Sequence, residues 1–175
     1  MLVVRIIIFN VGEPSLKLGV FSDSHAYDFA DLPKQAVILL ESMDLIIHAG
    51  DYTGKGLVDK LRKLGNFKGV YGNMDSFSVK EELPEKMILE LNGFKVGVTH
   101  PSEGGSPFGI ENRIKKKFEE VDVIIFGHTH LPKNEVICGI LYFNPGSITG
   151  KFPAQHKTFG ILEIDNEING KIVKL

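Results

Sequence analysis

Val121-Asp122-Val123-Ile124-Ile125-Phe126 runs without a break into Gly127-His128-Thr129-His130. A short, mostly apolar and β-branched run reads as a buried strand, and the switch to Gly and His at its end puts polar side chains at its carboxyl edge. The same junction recurs upstream. Leu16 to Phe21 leads to Asp23-Ser24-His25, Leu45 to His48 to Gly50-Asp51, Phe67 to Tyr71 to Gly72-Asn73-Met74-Asp75, and Phe94 to Thr99 to His100. Spacings of 28, 22, 27 and 28 residues separate Asp23, Asp51, Asn73, His100 and His128, and each is long enough for the chain to leave and return. The chain therefore comes back to one edge of the fold each time, and in open α/β sheets ligands collect beyond the carboxyl ends of the strands.

Segments of helical period lie between these strands. Asp31-Leu32-Pro33 starts a helix whose apolar face is Ala36, Val37, Leu39 and Leu40, with proline in the first turn. Lys55 to Leu64 carries Leu57, Val58, Leu61 and Leu64 on one face and is closed by Gly65. Asn92-Gly93 between Lys86 to Leu91 and Phe94 to Thr99 is a strong hairpin signal. A loop, Pro101 to Gly109, precedes a helix from about Ile110 to Glu120, and Val136 to Ile137, Ile140 to Phe143, Phe159 to Ile164 and Ile168 to Val173 read as antiparallel strands. The class is α/β: two packed mixed sheets flanked by helices. Residues 1–175 form one domain, in which 1–16 are an extra edge strand or an N-terminal extension.

The composition excludes several classes. With 43% apolar and 24% charged residues and a net charge of −2, the chain has the make-up of a soluble globular protein and no basic footprint for nucleic acid. The apolar run Leu2 to Phe9 is far shorter than the roughly 20 residues of a membrane span, and no cleavage signal follows it, so a cytoplasmic protein without a membrane partner is expected. A single cysteine, Cys138, rules out an internal disulfide and is expected in the core. His48 lies within a strand and reads as a hydrogen-bonded core histidine, His156 as a surface residue, and Lys115-Lys116-Lys117 as a solvated helix face.

Oxygen and nitrogen donors delivered from several strand ends are what a two-metal hydrolytic site requires. Two divalent ions bring four positive charges and Asp23 and Asp51 remove two, while Asn73 and the histidines bind as neutral groups. A positive cluster remains, suited to a phosphate anion. Without cysteine in the set the expected cofactors are two divalent ions, with Mn favoured and Ni, Co, Zn or Fe open.

The ordered set D-x-H, G-D, G-N-x-D, H and G-H-x-H, from about Leu18 to Ile164, resembles the calcineurin-like metallophosphoesterase superfamily, and within it the small single-domain prokaryotic phosphodiesterases. The resemblance implies a four-layer αββα sandwich. It implies that Asp23, His25, Asp51 and His130 surround one metal, that Asp51 bridges to a second, and that Asn73, His100 and His128 complete the second. Asp51, Asn73, His100 and His128 are then the candidate catalytic residues, Asp75 orients a ligand, and Asn144-Pro145-Gly146-Ser147 shapes the site wall. The implied reaction is in-line attack on phosphorus by a metal-bridging hydroxide, with a small phosphodiester or phosphomonoester as substrate.

Two positions depart from the pattern. Met74 stands where larger relatives carry a proton-donating histidine, which favours a diester with a good leaving group, and Pro101 replaces the glycine usual after the last single histidine. Rival readings are a monoesterase or nucleotidase on the same site, a non-catalytic interaction scaffold like the superfamily's retromer subunit, and a metal-dependent nuclease, which the acidic charge disfavours. A homodimer stays open, because no exposed apolar stripe identifies an interface.

Overall fold

A computed structural model describes residues 14–175, so the run Leu2 to Phe9 and its reading as an edge strand or extension lie outside the described residues. Among the described residues, ten strands build two five-stranded sheets. In the first, β1 (Leu16–Phe21), β2 (Leu45–Ala49) and β3 (Phe67–Val70) are parallel, and β9 (Thr158–Ile164) and β10 (Ile168–Lys174) add antiparallel beside β1, in the order β10-β9-β1-β2-β3. In the second, β5 (Phe94–Thr99), β6 (Val123–Phe126) and β8 (Ile140–Asn144) are parallel. The strands β4 (Lys86–Leu91) and β7 (Lys133–Ile137) cover its two edges antiparallel, giving β4-β5-β6-β8-β7.

Strand alternation assigns the layers. In β6, Val123 and Ile125 face the other sheet and join Leu18, Val20, Ile47, Val70, Val96 and Phe143, while Ile124 and Phe126 face outward with Ile110, Ile114, Phe118 and Tyr142. Both faces of β6 are covered, which is why the run is apolar throughout. On the outer face of the first sheet, Phe21 and Ile46 pack with Ala36 and Leu40 of α1 (Lys34–Glu41) and with Leu57, Val58 and Leu61 of α2 (Lys55–Arg62). Helix, sheet, sheet and helix therefore stack as four layers, the sandwich expected from the sequence.

The structure differs from the sequence expectation in several places, among them Leu64, which lies beyond the end of α2 and is exposed rather than on its apolar face. A short helix, α3 (Phe77–Glu82), follows Asp75, and its signal is weak because it buries only Val79. Helix α4 (Ile110–Lys115) ends well before Glu120, and the chain continues through tight turns that lay the Phe118 ring against Gly97 of β5, where a side chain would come within 2.9 Å of it. Cys138 is exposed rather than in the core. With Gly139 it forms the two-residue turn between β7 and β8, at φ values of 50° and 81°, and turn geometry overrides its apolar neighbours. The Asn92-Gly93 turn, at 47° and 81°, is of the same kind.

Among the described residues no helix is long and apolar enough to cross a membrane. The fully buried Ile125, held between the sheets, and the largely exposed Ile38 of α1 allow a direct test of the layering. Ile125→Ala is expected to destabilise by about 2–5 kcal/mol in urea unfolding, and Ile38→Ala by less than about 0.5 kcal/mol.

Candidate metal centre

Parallel β1, β2 and β3 of one sheet and β5 and β6 of the other end at the same side, and the loops leaving them converge. Asp23 and His25 follow β1, Asp51 follows β2, Asn73 follows β3, His100 follows β5, and His128 and His130 follow β6. Turning this sharply from strand to site puts Asp23, His25, Asp51, His128 and His130 in the left-handed region, at φ between 43° and 82°. Each such residue costs on the order of 1–2 kcal/mol, and this kind of strain concentrates at functional sites. Glycines make the approach possible. A Cβ on Gly72 would collide with Asp51 Oδ1, and one on Gly127 would lie 2.9 Å from both Asp23 Oδ2 and His100 Nδ1.

All seven side chains singled out from the sequence meet here. One atom each from Asp23, His25, Asp51 and His130 lie within 4.8 Å of one another. Beside them, Asn73 Oδ1 lies 3.1 Å from His100 Nε2 and 3.0 Å from His128 Nδ1, and His100 Nε2 is 3.5 Å from Asp51 Oδ2. Asp51 thus touches both groups, with its Oδ2 also 3.9 Å from His25 Nε2.

Backbone carbonyls decide which imidazole nitrogen faces inward, a point the sequence does not reveal. A carbonyl can only accept, so His100 donates its Nδ1–H to Ala49 (2.7 Å) and His128 donates its Nε2–H to Gly105 (2.9 Å). His130 donates its Nδ1–H to Phe152 (2.9 Å) and Lys151 (3.1 Å). In the neutral rings this leaves lone pairs on His100 Nε2 and His128 Nδ1 aimed at Asn73 Oδ1, and one on His130 Nε2 aimed at Asp23 Oδ1 at 3.3 Å. Acceptors facing acceptors at these distances repel unless a cation lies between them. The donor set therefore fits divalent metal ions.

Electrostatics agree. Burial alone would raise the Asp23 carboxyl, but the bond to His130 and the nearby imidazoles hold it below the usual carboxylate range, and Ser22 Oγ donates to it at 2.6 Å. Burial lowers His25 below an ordinary imidazole, so it is ready to bind as a neutral ligand. Burial would lower His130 too, yet its bond to Asp23 raises it, as expected of a position where a proton stands in for a cation.

Around these groups lies a shell of buried supports. Asp75, pushed upward by burial and pulled back by its donors, accepts four backbone N–H groups. Those of Tyr52 (2.6 Å) and Thr53 (2.9 Å) reach one oxygen, and those of Asp51 (3.0 Å) and Gly72 (2.7 Å) reach the other. Met74 contributes its backbone N–H to Asp51 Oδ1 at 2.9 Å, while its side chain is exposed. The fully buried His48, kept neutral by desolvation, accepts the Gly50 N–H at Nδ1 (3.1 Å) and donates from Nε2 to Ser24 Oγ (2.9 Å). It is the core histidine its strand position indicates. Ser147 Oγ donates to the Asp23 carbonyl (2.9 Å), and Asn144 Nδ2 donates to Thr129 Oγ1 (3.1 Å), so the Asn144 to Ser147 loop braces the loops that carry Asp23 and His128. Sequence reasoning missed Ser22, Ser24 and the carbonyls of Gly105, Lys151 and Phe152, because carbonyl placement leaves no residue-type signal.

The profile of the calcineurin-like phosphoesterase superfamily domain matches residues 16–167. The chain belongs to that superfamily. Metal-dependent hydrolysis of phosphoesters is the chemistry that goes with this membership. A probable metallophosphoesterase of Methanocaldococcus jannaschii is 38% identical, over 92% of this chain and 82% of its own. A phosphodiesterase of the same organism is 28% identical, over 90% and 99%. The solved structure of Vacuolar Protein Sorting 29 from Cryptosporidium parvum, at 21% identity, superposes with a TM-score of 0.73 over 93% of this chain and 99% of that one, which demonstrates a shared fold.

The Asp75 carboxylate gives the supporting shell a direct test. An Asp75→Asn amide keeps one acceptor oxygen and turns an N–H donor towards two backbone N–H groups. A loss of about 1–3 kcal/mol in denaturant unfolding is expected, together with about 10–100-fold weaker metal binding by calorimetry.

Proposed function

We propose that the chain is a two-ion phosphodiesterase whose first ion is held by Asp23, His25, Asp51 and His130, and whose second is held by Asp51, Asn73, His100 and His128. The observation that carries the reading is the pair of adjacent lone-pair clusters joined at Asp51, with inward-facing nitrogens selected by carbonyl bonds on their far sides. Two divalent ions bound here would lower the pKa of a coordinated water to about 7 and neutralise charge on a phosphoryl group.

The chain's own residues do the rest. Asp51 turns one oxygen, Oδ2, towards both clusters while the Met74 N–H holds Oδ1, and so sets the spacing between them. His100 is fully buried and tethered to Ala49, which keeps Nε2 beside Asn73 without freedom to rotate away. Asp75 orients Asp51 through its backbone. No side-chain acid stands at Met74 to protonate a departing alkoxide, which favours diesters whose leaving groups need no proton. Manganese is the favoured ion, since oxygen and imidazole donors without thiolate suit it.

A scaffold role on the same fold is the second reading, favoured by the likeness to Vacuolar Protein Sorting 29. The complete donor set argues against it here. Metal-stripped protein restored with Mn²⁺ is expected to cleave bis-p-nitrophenyl phosphate faster than p-nitrophenyl phosphate. Asp51→Asn and His128→Ala should each lose more than the roughly 10–100-fold typical of a residue outside the donor set. Binding of two ions with no turnover of either ester would transfer the conclusion to the scaffold.

A further inference from the structure

Arg113 of α4 supplies no ligand, yet it reaches the loop that covers His128. Its Nη1 donates to the Gly104 carbonyl at 2.9 Å and its Nη2 to the Ser106 carbonyl at 2.7 Å. These carbonyls flank Gly105, whose own carbonyl accepts His128 Nε2–H at 2.9 Å. The guanidinium lies close against this peptide, since a Cβ on Gly105 would come within 2.8 Å of Nη1, and Gly105 has φ of 95°. Arg113 Nε is buried with no hydrogen-bond partner, so the side chain accepts an unsatisfied donor in order to present its two terminal nitrogens to the loop.

The base of the loop is fastened mainly by other residues, although Arg113 Nη1 also lies 3.8 Å from the Glu103 carboxylate. Ser102 Oγ donates to Glu85 at 2.8 Å, and Lys117 bridges Glu85 (2.7 Å) and Glu103 (3.2 Å), so Lys117 is a strut rather than part of a solvated face. Those contacts hold residues 102 and 103. The segment beyond, Gly104-Gly105-Ser106, has the backbone freedom of two glycines and is gripped by Arg113. A planar fork can hold two carbonyls at once in fixed geometry, which a lysine ammonium on a flexible stem cannot reproduce.

We propose that Arg113 is a positioning residue for the metal centre: by clamping the Gly104 and Ser106 carbonyls it keeps the Gly105 carbonyl on His128 Nε2, so that the ring presents Nδ1 beside Asn73 Oδ1. The effect on the second ion rests on the two-ion reading above, whereas the effect on the His128 tautomer does not. Gly105 is the point of transmission, and the loop is part of the coordination apparatus without contributing a ligand.

The test uses the full chain, metal-free, as wild type, Arg113→Lys and Arg113→Ala, with circular dichroism to confirm folding. Long-range ¹⁵N correlation spectra read the His128 tautomer, and calorimetric titration with Zn²⁺ alone counts and ranks the ions. Wild type is expected to show His128 protonated at Nε2. Both variants should show mixed tautomers and a second ion weakened about 10-fold or more, with the first within about 2-fold. If Arg113→Ala does not fold, the lysine variant decides.

Retention of the Nε2–H tautomer in a folded variant overturns the proposal. So does a tautomer change without loss of second-ion affinity in protein that binds two. Uptake of one ion by wild type would instead refute the two-ion reading, and the tautomer result alone would then decide the role of Arg113.

Discussion

The carboxylate of Asp75 accepts backbone N–H groups from two separate loops, Asp51 to Thr53 after one strand and Gly72 after the next. That interaction is the constraint on which the site depends. Asp51 and Asn73 leave neighbouring parallel strands, β2 and β3, and nothing in strand pairing fixes how their loops sit beyond the last ladder bond. Asp75 satisfies Asp51, Tyr52, Thr53 and Gly72 together, closing both loops onto one anion. A buried carboxylate with four donors is well compensated, and losing part of that set would leave polar backbone unpaired where water cannot replace it.

On that frame the inward face is built almost wholly from acceptors. The chain places N–H and O–H donors on the outer sides of its carboxylates and carbonyl acceptors on the outer sides of His100, His128 and His130, which leaves lone pairs on the inside. The left-handed backbone at five of the seven side chains is the conformational cost of that arrangement, met by packing around fully buried strands. Stability and function are therefore set at opposite ends of the same strands. The layers hold the strand bodies by apolar burial, and the strand ends carry strain and unpaired lone pairs.

Much of this was legible in the sequence because it is written in residue types. Apolar β6 ending at Gly127-His128-Thr129-His130 announces both a doubly covered strand and its polar terminus, and the recurrence of that junction locates the site edge. Helix α3 was not legible, since a helix that buries one residue has no periodic face. Cys138 misled because local hydrophobicity cannot express the positive φ of a hairpin turn. Nor was the tautomer of each histidine legible, as it depends on carbonyls of Ala49, Gly105, Lys151 and Phe152 that any residue type could supply.

The two lone-pair clusters that share Asp51 are proposed to form one two-ion centre. Anomalous diffraction at the manganese edge from crystals grown with Mn²⁺ addresses it most directly. The result expected is two peaks about 3.5–4 Å apart, with Asp51 between them and His128 coordinating through Nδ1. A single peak confined to Asp23, His25, Asp51 and His130, with no ion beside Asn73 and His128, would contradict it.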